Sequence, residues 1–301
     1  MKLLPLPLPP LLSRLPRPPR LSSALLGATV LELAVLAGHL AVYPFGLTPE
    51  RRPPARPAGA EPGGGGATAL PATATTVAAP PPVVLLHGFI DNRSVFLLLR
   101  RALLRNGHDH GHHRHRHRHL ESLNYSPLTR DIRAAAGLLG RHVEEICART
   151  GHHRVDIVGH SLGGLIARYY VQRLGGDRRV RTLVTLGTPH GGTAVAPWAG
   201  VHPIVRQMRA GSSVIEELRA PAPGCRTRFV SFWSELDQVM VPVETACVDH
   251  PDLDAVNVRV TGIGHLALPV HPTVAAAIRE ALDAPVTGED TAPADGAASV
   301  A

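Results

Sequence analysis

The sequence has few lysines, few aromatic residues and few cysteines. Among 301 residues, Lys+Arg total 31 but Lys2 is the only lysine, aromatic residues make up 4% and there are three cysteines. Arginines therefore account for the formal net charge of +7, and they are spread along the chain rather than clustered. A surface that binds nucleic acid is typically a basic cluster, so we expect no nucleic-acid partner. The length also excludes a small scaffold held together by disulfides.

Glycine and proline are abundant, with 29 of each. The first 20 residues are rich in proline and arginine, and an apolar run follows from Leu21 to Val42 in which only Glu32 and His39 are ionisable. In a helix, about 22 residues reach the thickness of a bilayer core. We therefore predict that residues 1–48 form a cationic N-terminus and a membrane anchor. A cleaved signal segment and a buried soluble helix are the alternatives.

Composition also separates the remaining parts of the chain. Residues 49–82 are rich in proline, glycine and alanine and are predicted to be a linker, and residues 285–301 a disordered tail. The segment 83–284 alternates short apolar strands with helices, which predicts one α/β domain with a mostly parallel sheet covered by helices on both faces. We expect this domain to lie outside the cytoplasm, either anchored to a membrane or secreted.

Hydrophobic periodicity and turn residues give the elements of this domain. Strands are predicted at 83–86, 121–125, 154–158, 180–186, 227–233 and 255–261. Helices are predicted at 94–106, after a cap at Thr129, at 162–174 and at 272–282.

A serine flanked by glycines follows the third predicted strand. The segment Gly159-His160-Ser161-Leu162-Gly163-Gly164 matches the pattern G-x-S-x-G. Glycines around the serine allow a strained turn that lifts the hydroxyl above the sheet edge, onto the N-terminus of a helix. Because a strand is predicted before the motif and a helix after it, Ser161 is the candidate nucleophile.

A nucleophilic serine needs a base and an orienting acid, which in this architecture follow it along the chain. His265 lies between Gly264 and Leu266, just beyond the last predicted strand, where a loop can return the ring to the serine. The acid is expected at the end of the preceding strand. We predict Asp237 in this role, with Glu235 as the alternative.

Acyl transfer also needs donors for the oxyanion. One is the backbone N–H after the nucleophile, which belongs to Leu162, and the second usually comes from the loop after the first strand. That loop reads His87-Gly88-Phe89, and Phe89 N–H is the candidate. We expect His87, Gly88 and His160 to contact the substrate.

Five spaced motifs then stand in order along the domain. They are Leu85-Leu86-His87-Gly88-Phe89, Gly159 to Gly164, Leu186 to Thr193, Asp237 with Val241-Pro242, and Gly264-His265-Leu266. Together they resemble bacterial, in particular actinobacterial, triacylglycerol lipases and esterases of the α/β-hydrolase superfamily. The resemblance covers residues 83–284. It implies an α/β-hydrolase fold and a serine triad that hydrolyses ester or lipid substrates, with no metal and no cofactor in the chemistry.

The segment between Thr193 and Pro221 bears on substrate access. Apolar residues there include Trp198 and, at helical spacing, Val201, Ile204, Val205 and Met208. If this stretch is a flap over Ser161, Trp198 and Met208 add apolar wall to an acyl pocket. The alternative is an ordinary crossover helix packed on the sheet.

Two further features remain. The histidine- and arginine-rich run at 108–119 is predicted to be a solvated loop rather than a metal site, because its arginines repel a dication. Cys225 and Cys247 bracket the strand that precedes Asp237. In an exported domain they could pair, closing about 22 residues and contributing about 3 kcal/mol, and free thiols are the alternative.

We therefore expect a serine carboxylic-ester hydrolase. An acyltransferase or thioesterase with the same triad is the alternative within the enzymes. A catalytically silent hydrolase-fold module that presents its His/Arg loop as a binding surface is the alternative outside them.

Overall fold

The alternation of short apolar strands with helices produces a parallel sheet. The computed structural model describes residues 23–47, 79–89, 91–105, 118–125, 130–194 and 202–285. Within these residues, six parallel strands lie in the order β2-β1-β3-β4-β5-β6. They are β1 (Val83–Leu86), β2 (Leu120–Leu123), β3 (Val155–His160), β4 (Val180–Leu186), β5 (Arg228–Ser234) and β6 (Asp254–Val260).

The described residues also form seven α-helices. They are α1 (Ser23–Gly46), α2 (Leu97–Leu104), α3 (Ile132–Thr150), α4 (Leu162–Arg173), α5 (Pro203–Gln207), α6 (Ser213–Arg219) and α7 (Pro272–Asp283). Asp131 caps α3 with its side chain, which accepts the Arg133 N–H. Thr129, which we predicted as the cap, lies outside the described residues.

The sheet separates two apolar cores, and alternate strand residues belong to opposite cores. Val84 and Leu86 of β1 pack in the core that contains α3 and α4. Val83 and Leu85 pack in the other core, with α2 and α7. Helices on both faces of a parallel sheet make this an α/β domain, as predicted from the sequence.

Helix α1 lies against this domain. It is long and apolar enough to cross a membrane, with a hydropathy of 1.9 over its most apolar window, and 11% of that window is buried. Leu31 and Val35 pack against the core of α2 and α7. The side chains of Asn92 and Asn124 donate hydrogen bonds to the carbonyls of Tyr43 and Gly46, over 2.9 and 2.7 Å. The apolar N-terminal helix was predicted, but its contact with the domain was not.

Cys225 and Cys247 are free thiols, as is Cys147, so of the two alternatives the structure has the free thiols and not the disulfide. Ser231 in the middle of β5 donates a hydrogen bond of 2.7 Å to the Ala246 carbonyl, which places Cys247 beside the middle of the strand. Cys225 precedes the first residue of β5. Half the length of the strand therefore separates the two residues, whereas a disulfide needs Cα atoms within about 7 Å.

Because the strands are parallel, their carboxyl ends meet at one edge of the sheet. The loop with His87 follows β1, Ser161 follows β3, Asp237 follows β5 and His265 follows β6. This edge therefore holds every residue that the sequence predicts for the triad. Most of the predicted linker and tail lies outside the described residues.

Candidate active site

Ser161 occupies a strained turn between β3 and α4. Its φ and ψ are 53° and −121°, and among the described residues it is the only one other than glycine with a positive φ. Its N–H donates to the Leu186 carbonyl over 2.9 Å, and Thr188 Oγ1 donates to its carbonyl over 3.0 Å. Such a conformation costs about 1–3 kcal/mol and persists because its surroundings fix it.

The glycines of the motif are required by close backbone contacts. A methyl group on Gly159 would lie 2.5 Å from the Gly164 Cα, and one on Gly163 would lie 2.3 Å from the Leu86 carbonyl oxygen. No side chain fits in either place. The turn that carries Ser161 therefore packs directly on the end of β1.

The structure brings Asp237 and His265 together. Asp237 Oδ2 lies 2.8 Å from His265 Nδ1, and Asp237 Oδ1 accepts the N–H groups of Val239 and Met240 over 2.9 and 3.0 Å. Asp237 is 2% exposed and His265 is 5% exposed. Glu235, the alternative acid, pairs with Arg259 on an exposed part of the loop. The arrangement therefore favours Asp237 as the partner of His265.

Gly187 makes room for this pair. A methyl group there would lie 2.9 Å from both Asp237 Oδ2 and His265 Nδ1, and the φ of Gly187 is +52°. The backbone just after β4 thus packs against the side chains of Asp237 and His265 where they meet.

Opposing effects act on His265. Burial lowers the pKa of its ring, but the charge and hydrogen bond of Asp237, with the charges of Glu32 and Asp91, raise the pKa above its ordinary value of 6.5. The environment therefore stabilises the imidazolium that a general base forms when it takes up a proton.

His160 holds the backbone of His265. Its Nε2 lies 3.2 Å from the His265 carbonyl, and the two rings are 4.8 Å apart between centroids. Burial brings the pKa of His160 well below its usual range, so the ring is neutral. A carbonyl only accepts hydrogen bonds, so Nε2 carries the proton. Its contacts make His160 a support for the base.

The loop after β1 lies against Ser161. A methyl group on Gly88 would lie 3.4 Å from the Ser161 Cβ. The Tyr125 hydroxyl donates to the carbonyls of His87 and Gly88, the latter over 3.1 Å, and its ring stacks on His87 at 4.2 Å. In a trans peptide the N–H points opposite to the C=O, so the Phe89 N–H points away from Tyr125. Tyr125 therefore fixes the direction of the predicted oxyanion donor.

The second predicted donor begins α4. Leu162 is the first residue of that helix, where backbone N–H groups have no partner within the helix. The positive end of the helix dipole also favours an anion there.

Two titratable groups complete the site. Burial lowers the pKa of His87 to about 4, so its ring is neutral. Burial raises the pKa of Asp91 to about 6, and its Oδ2 lies 3.8 Å from His160 Nδ1. Asp91 and Tyr125 were not predicted from the sequence, because no motif marks them.

The predicted substrate residues have different positions. Gly88 lies against Ser161, His87 stacks on Tyr125 in the same loop, and His160 precedes Ser161 in the chain and contacts His265. Met208 is 7% exposed and belongs to the core of α3 and α4, whereas Trp198 lies outside the described residues. The ring of His202, which caps α5, is 5.1 Å from that of Phe89. The segment after β4 therefore reaches the predicted oxyanion loop.

Most of the run at 108–119 lies outside the described residues. At its end, Arg118 pairs with Asp283 and His119 with Glu121. In the part of the chain that the structure describes, no group of three or more His, Cys, Asp or Glu side chains is placed to hold a metal.

Comparisons with known proteins agree with this architecture. A family model described as palmitoyl protein thioesterase matches residues 82–222, less than half of the chain. Among solved structures, lipase B of Aspergillus fumigatus is 16% identical with a TM-score of 0.58, and the match covers 70% of this chain and 54% of that one. The chain thus spans about half the length of this fungal lipase.

Two bacterial structures are matched over more of their length. The mature lipase BlEst2 of Bacillus licheniformis is 16% identical with a TM-score of 0.54, over 68% of this chain and 92% of that one. A gene product of Listeria innocua is 16% identical with a TM-score of 0.52, over 68% and 94%. At these identities the similarity concerns the fold, and the chain has the α/β-hydrolase fold that was predicted.

Tyr125→Phe should lower kcat about 10- to 100-fold, because two carbonyls of the oxyanion loop lose their donor and the Phe89 N–H is less firmly aimed. Steady-state kinetics with a nitrophenyl ester would measure the loss. Tyr169→Phe is the matched control, since Tyr169 donates to Glu217 away from the site. Equal kcat values in the two variants would contradict this role of Tyr125.

Proposed function

We propose that the chain is a serine hydrolase that cleaves carboxylic esters through an acyl-enzyme. The observation that carries this proposal is the buried pair of Asp237 and His265, joined at 2.8 Å at the same edge of the sheet as a serine on a strained strand-to-helix turn. A positioned base, an orienting acid and a nucleophilic hydroxyl are the requirements of acyl transfer through a covalent intermediate.

In the proposed reaction, His265 Nε2 takes the proton of Ser161 Oγ as the oxygen attacks the ester carbonyl. Asp237 holds the imidazolium, and the N–H groups of Phe89 and Leu162 stabilise the tetrahedral oxyanion. Collapse of this intermediate breaks the bond to the leaving alcohol, which takes the proton from His265. Water then attacks the acyl-enzyme with His265 again as base, and the acid product leaves.

The triad assignment predicts that Ser161→Ala, His265→Ala and Asp237→Asn each lower kcat by about 10⁴-fold without unfolding the protein. An organophosphonate probe should label the wild-type chain at Ser161 and leave Ser161→Ala unlabelled. Thermal unfolding checks that the variants are folded.

Glu235→Gln is the control for the acid, because it removes a carboxylate from the same loop. Full activity in Asp237→Asn with a loss in Glu235→Gln would reverse the acid assignment. A wild-type chain that is folded, unlabelled and inactive would instead be the silent module with a His/Arg-rich binding loop.

Thioester cleavage is the second candidate. The match of residues 82–222 to the palmitoyl protein thioesterase model favours it, and the same triad serves either leaving group. Two structural neighbours are lipases, which favours oxygen esters. An acyltransferase differs only in the acceptor, and added alcohol diverts its acyl-enzyme from acid to a new ester.

Matched octanoyl esters of an alcohol and of the corresponding thiol would separate these substrates. We expect oxygen-ester hydrolysis with a higher kcat/KM for octanoate than for acetate, since each buried methylene contributes about 0.8 kcal/mol. A kcat/KM for the thioester that exceeds the oxygen ester by more than about 100-fold would assign the chain as a thioesterase, because the intrinsic reactivities of the two are far closer.

We further propose that α1 holds the catalytic domain at a membrane, outside the cytoplasm. The outward face of α1 is apolar, with Leu26, Val30, Leu33 and Leu40 about 60% exposed. Its ionisable residues face the domain instead. This distribution is the reverse of a surface helix in water, and a lipid surface would cover the apolar face.

Leu33→Glu with Leu40→Glu should therefore abolish flotation of the full chain with phosphatidylcholine vesicles. The control is Leu138→Glu with Leu174→Glu, which places the same charges at partly exposed leucines of the domain surface. Flotation that persists in the first variant, or that is lost equally in both, would contradict the proposed membrane contact.

A further inference from the structure

Glu32 is the only acidic residue in the apolar run that forms α1. Its two carboxylate oxygens accept the backbone N–H groups of the residues that follow the candidate base. Oε2 accepts the Leu266 N–H over 2.8 Å, and Oε1 accepts the Ala267 N–H over 2.9 Å. From this contact we propose that Glu32 is a positioning residue for His265, and that α1 is thereby part of the active site.

The loop of His265 is held from several sides, and Glu32 supplies one of them. Asp237 contacts the ring of His265 at Nδ1, and His160 contacts the backbone carbonyl of His265. Glu32 accepts the N–H of the peptide group that carries this carbonyl, between His265 and Leu266, and the N–H of the peptide group after it. With these contacts in place, the ring has little freedom to leave its position beside Asp237.

A carboxylate suits this position for a chemical reason. Ala267 is 1% exposed, so its N–H must find an acceptor within the protein. A carboxylate accepts both N–H groups at once and makes charge-assisted hydrogen bonds, whereas an amide side chain offers a single oxygen.

Gly264 makes the approach of Glu32 possible. A methyl group there would lie 2.7 Å from Glu32 Cδ, 2.8 Å from Cγ and 2.9 Å from Oε1, and no other residue is as near. The glycine before His265 therefore leaves space for a side chain from a helix more than two hundred residues away in the sequence.

The charge of Glu32 also acts on the base. The groups that face His265 are Asp237 from the loop after β5, Asp91 from the loop after β1, His160 from β3 and Glu32 from α1. The charges of Asp237, Glu32 and Asp91 raise the pKa of His265, and His160 is neutral. Removal of the charge at Glu32 should therefore lower the pKa of the base.

This inference rests on the proposed function, because it assumes that His265 is the base. The test uses the full chain and a short nitrophenyl ester. Glu32→Gln should lower kcat about 10-fold with little change in KM, and should move the acidic limb of kcat/KM to lower pH. Glu32→Ala should lower kcat further, and Glu32→Asp should restore part of the loss.

Glu235→Gln is the control for charge, because it removes a carboxylate two residues from Asp237 that pairs with Arg259 at the surface. We expect it to leave kcat and the acidic limb unchanged. Leu33→Gln is the control for a polar change on α1, since Leu33 is 61% exposed and faces away from the domain.

Gly264→Ala tests the same contact from the other side. Its methyl group should displace Glu32 and reproduce the loss of Glu32→Ala. In a chain that already carries Glu32→Ala, the methyl group has nothing to displace and should have no further effect. Strict additivity of the two losses would overturn the proposal.

The proposal would also be overturned if Glu32→Gln and Glu32→Ala kept the wild-type kcat and acidic limb while Ser161→Ala was inactive. In that case the proposed function would stand. If Ser161→Ala kept full activity, the triad itself would be wrong, whatever the result at Glu32.

Discussion

The hydrogen bond between Asp237 and His265 is the interaction on which the arrangement of this site depends. A buried carboxylate is costly unless its oxygens are satisfied, and both oxygens of Asp237 have partners: the ring on one side and two backbone N–H groups on the other. For the ring to reach Asp237, the residue that follows β4 must lack a side chain, and this residue is Gly187. The serine turn, the ends of β4 and β5 and the loop after β6 therefore meet around one bond of 2.8 Å.

A second constraint comes from the polar residues of α1. An acid in an apolar helix costs about 2.5–3.5 kcal/mol at the centre of a bilayer. In this structure Glu32 makes two charge-assisted hydrogen bonds to the domain, and His39 is buried on the same side. A helix that crosses a membrane on its own would lose these contacts. Docking along the domain satisfies Glu32 and still leaves the apolar face of the helix exposed, so the contacts of Glu32 and the proposed membrane attachment use different faces of α1.

Much of the domain could be predicted from the sequence, because local patterns determine it. β4 is a continuous apolar run and was predicted with its observed bounds, 180–186. The turn at Ser161 could be predicted because close backbone contacts require glycines around the serine, and these glycines are visible in the sequence motif. Long-range contacts could not be predicted in the same way. Nothing in the sequence indicates that Tyr125 reaches the carbonyls of His87 and Gly88, or that half the length of β5 separates Cys247 from Cys225.

Glu32 shows why interpretation from the sequence also fails in a systematic way. In the sequence alone, Glu32 is a charged residue that disfavours a membrane anchor. The hydropathy of a segment carries no information about what the segment packs against. Only the tertiary structure shows that the Glu32 carboxylate accepts hydrogen bonds from the loop of His265. Gly264 leaves the space that Glu32 occupies. A glycine before a histidine has many causes, however, and the sequence does not show which side chain fills the space beside it.

The histidines at the edge of the sheet show how burial and charge divide the roles. Burial lowers the pKa of His87, His160 and His190, and no carboxylate near them reverses the effect. His265 is as deeply buried, yet Asp237 raises its pKa, with help from Glu32 and Asp91. Because a general base must take up a proton as the serine attacks, the ring whose charged form is stabilised is the one suited to that task. The neutral rings act as hydrogen-bonding and packing groups, so the arrangement of carboxylates, more than the number of histidines, determines which one can serve as the base.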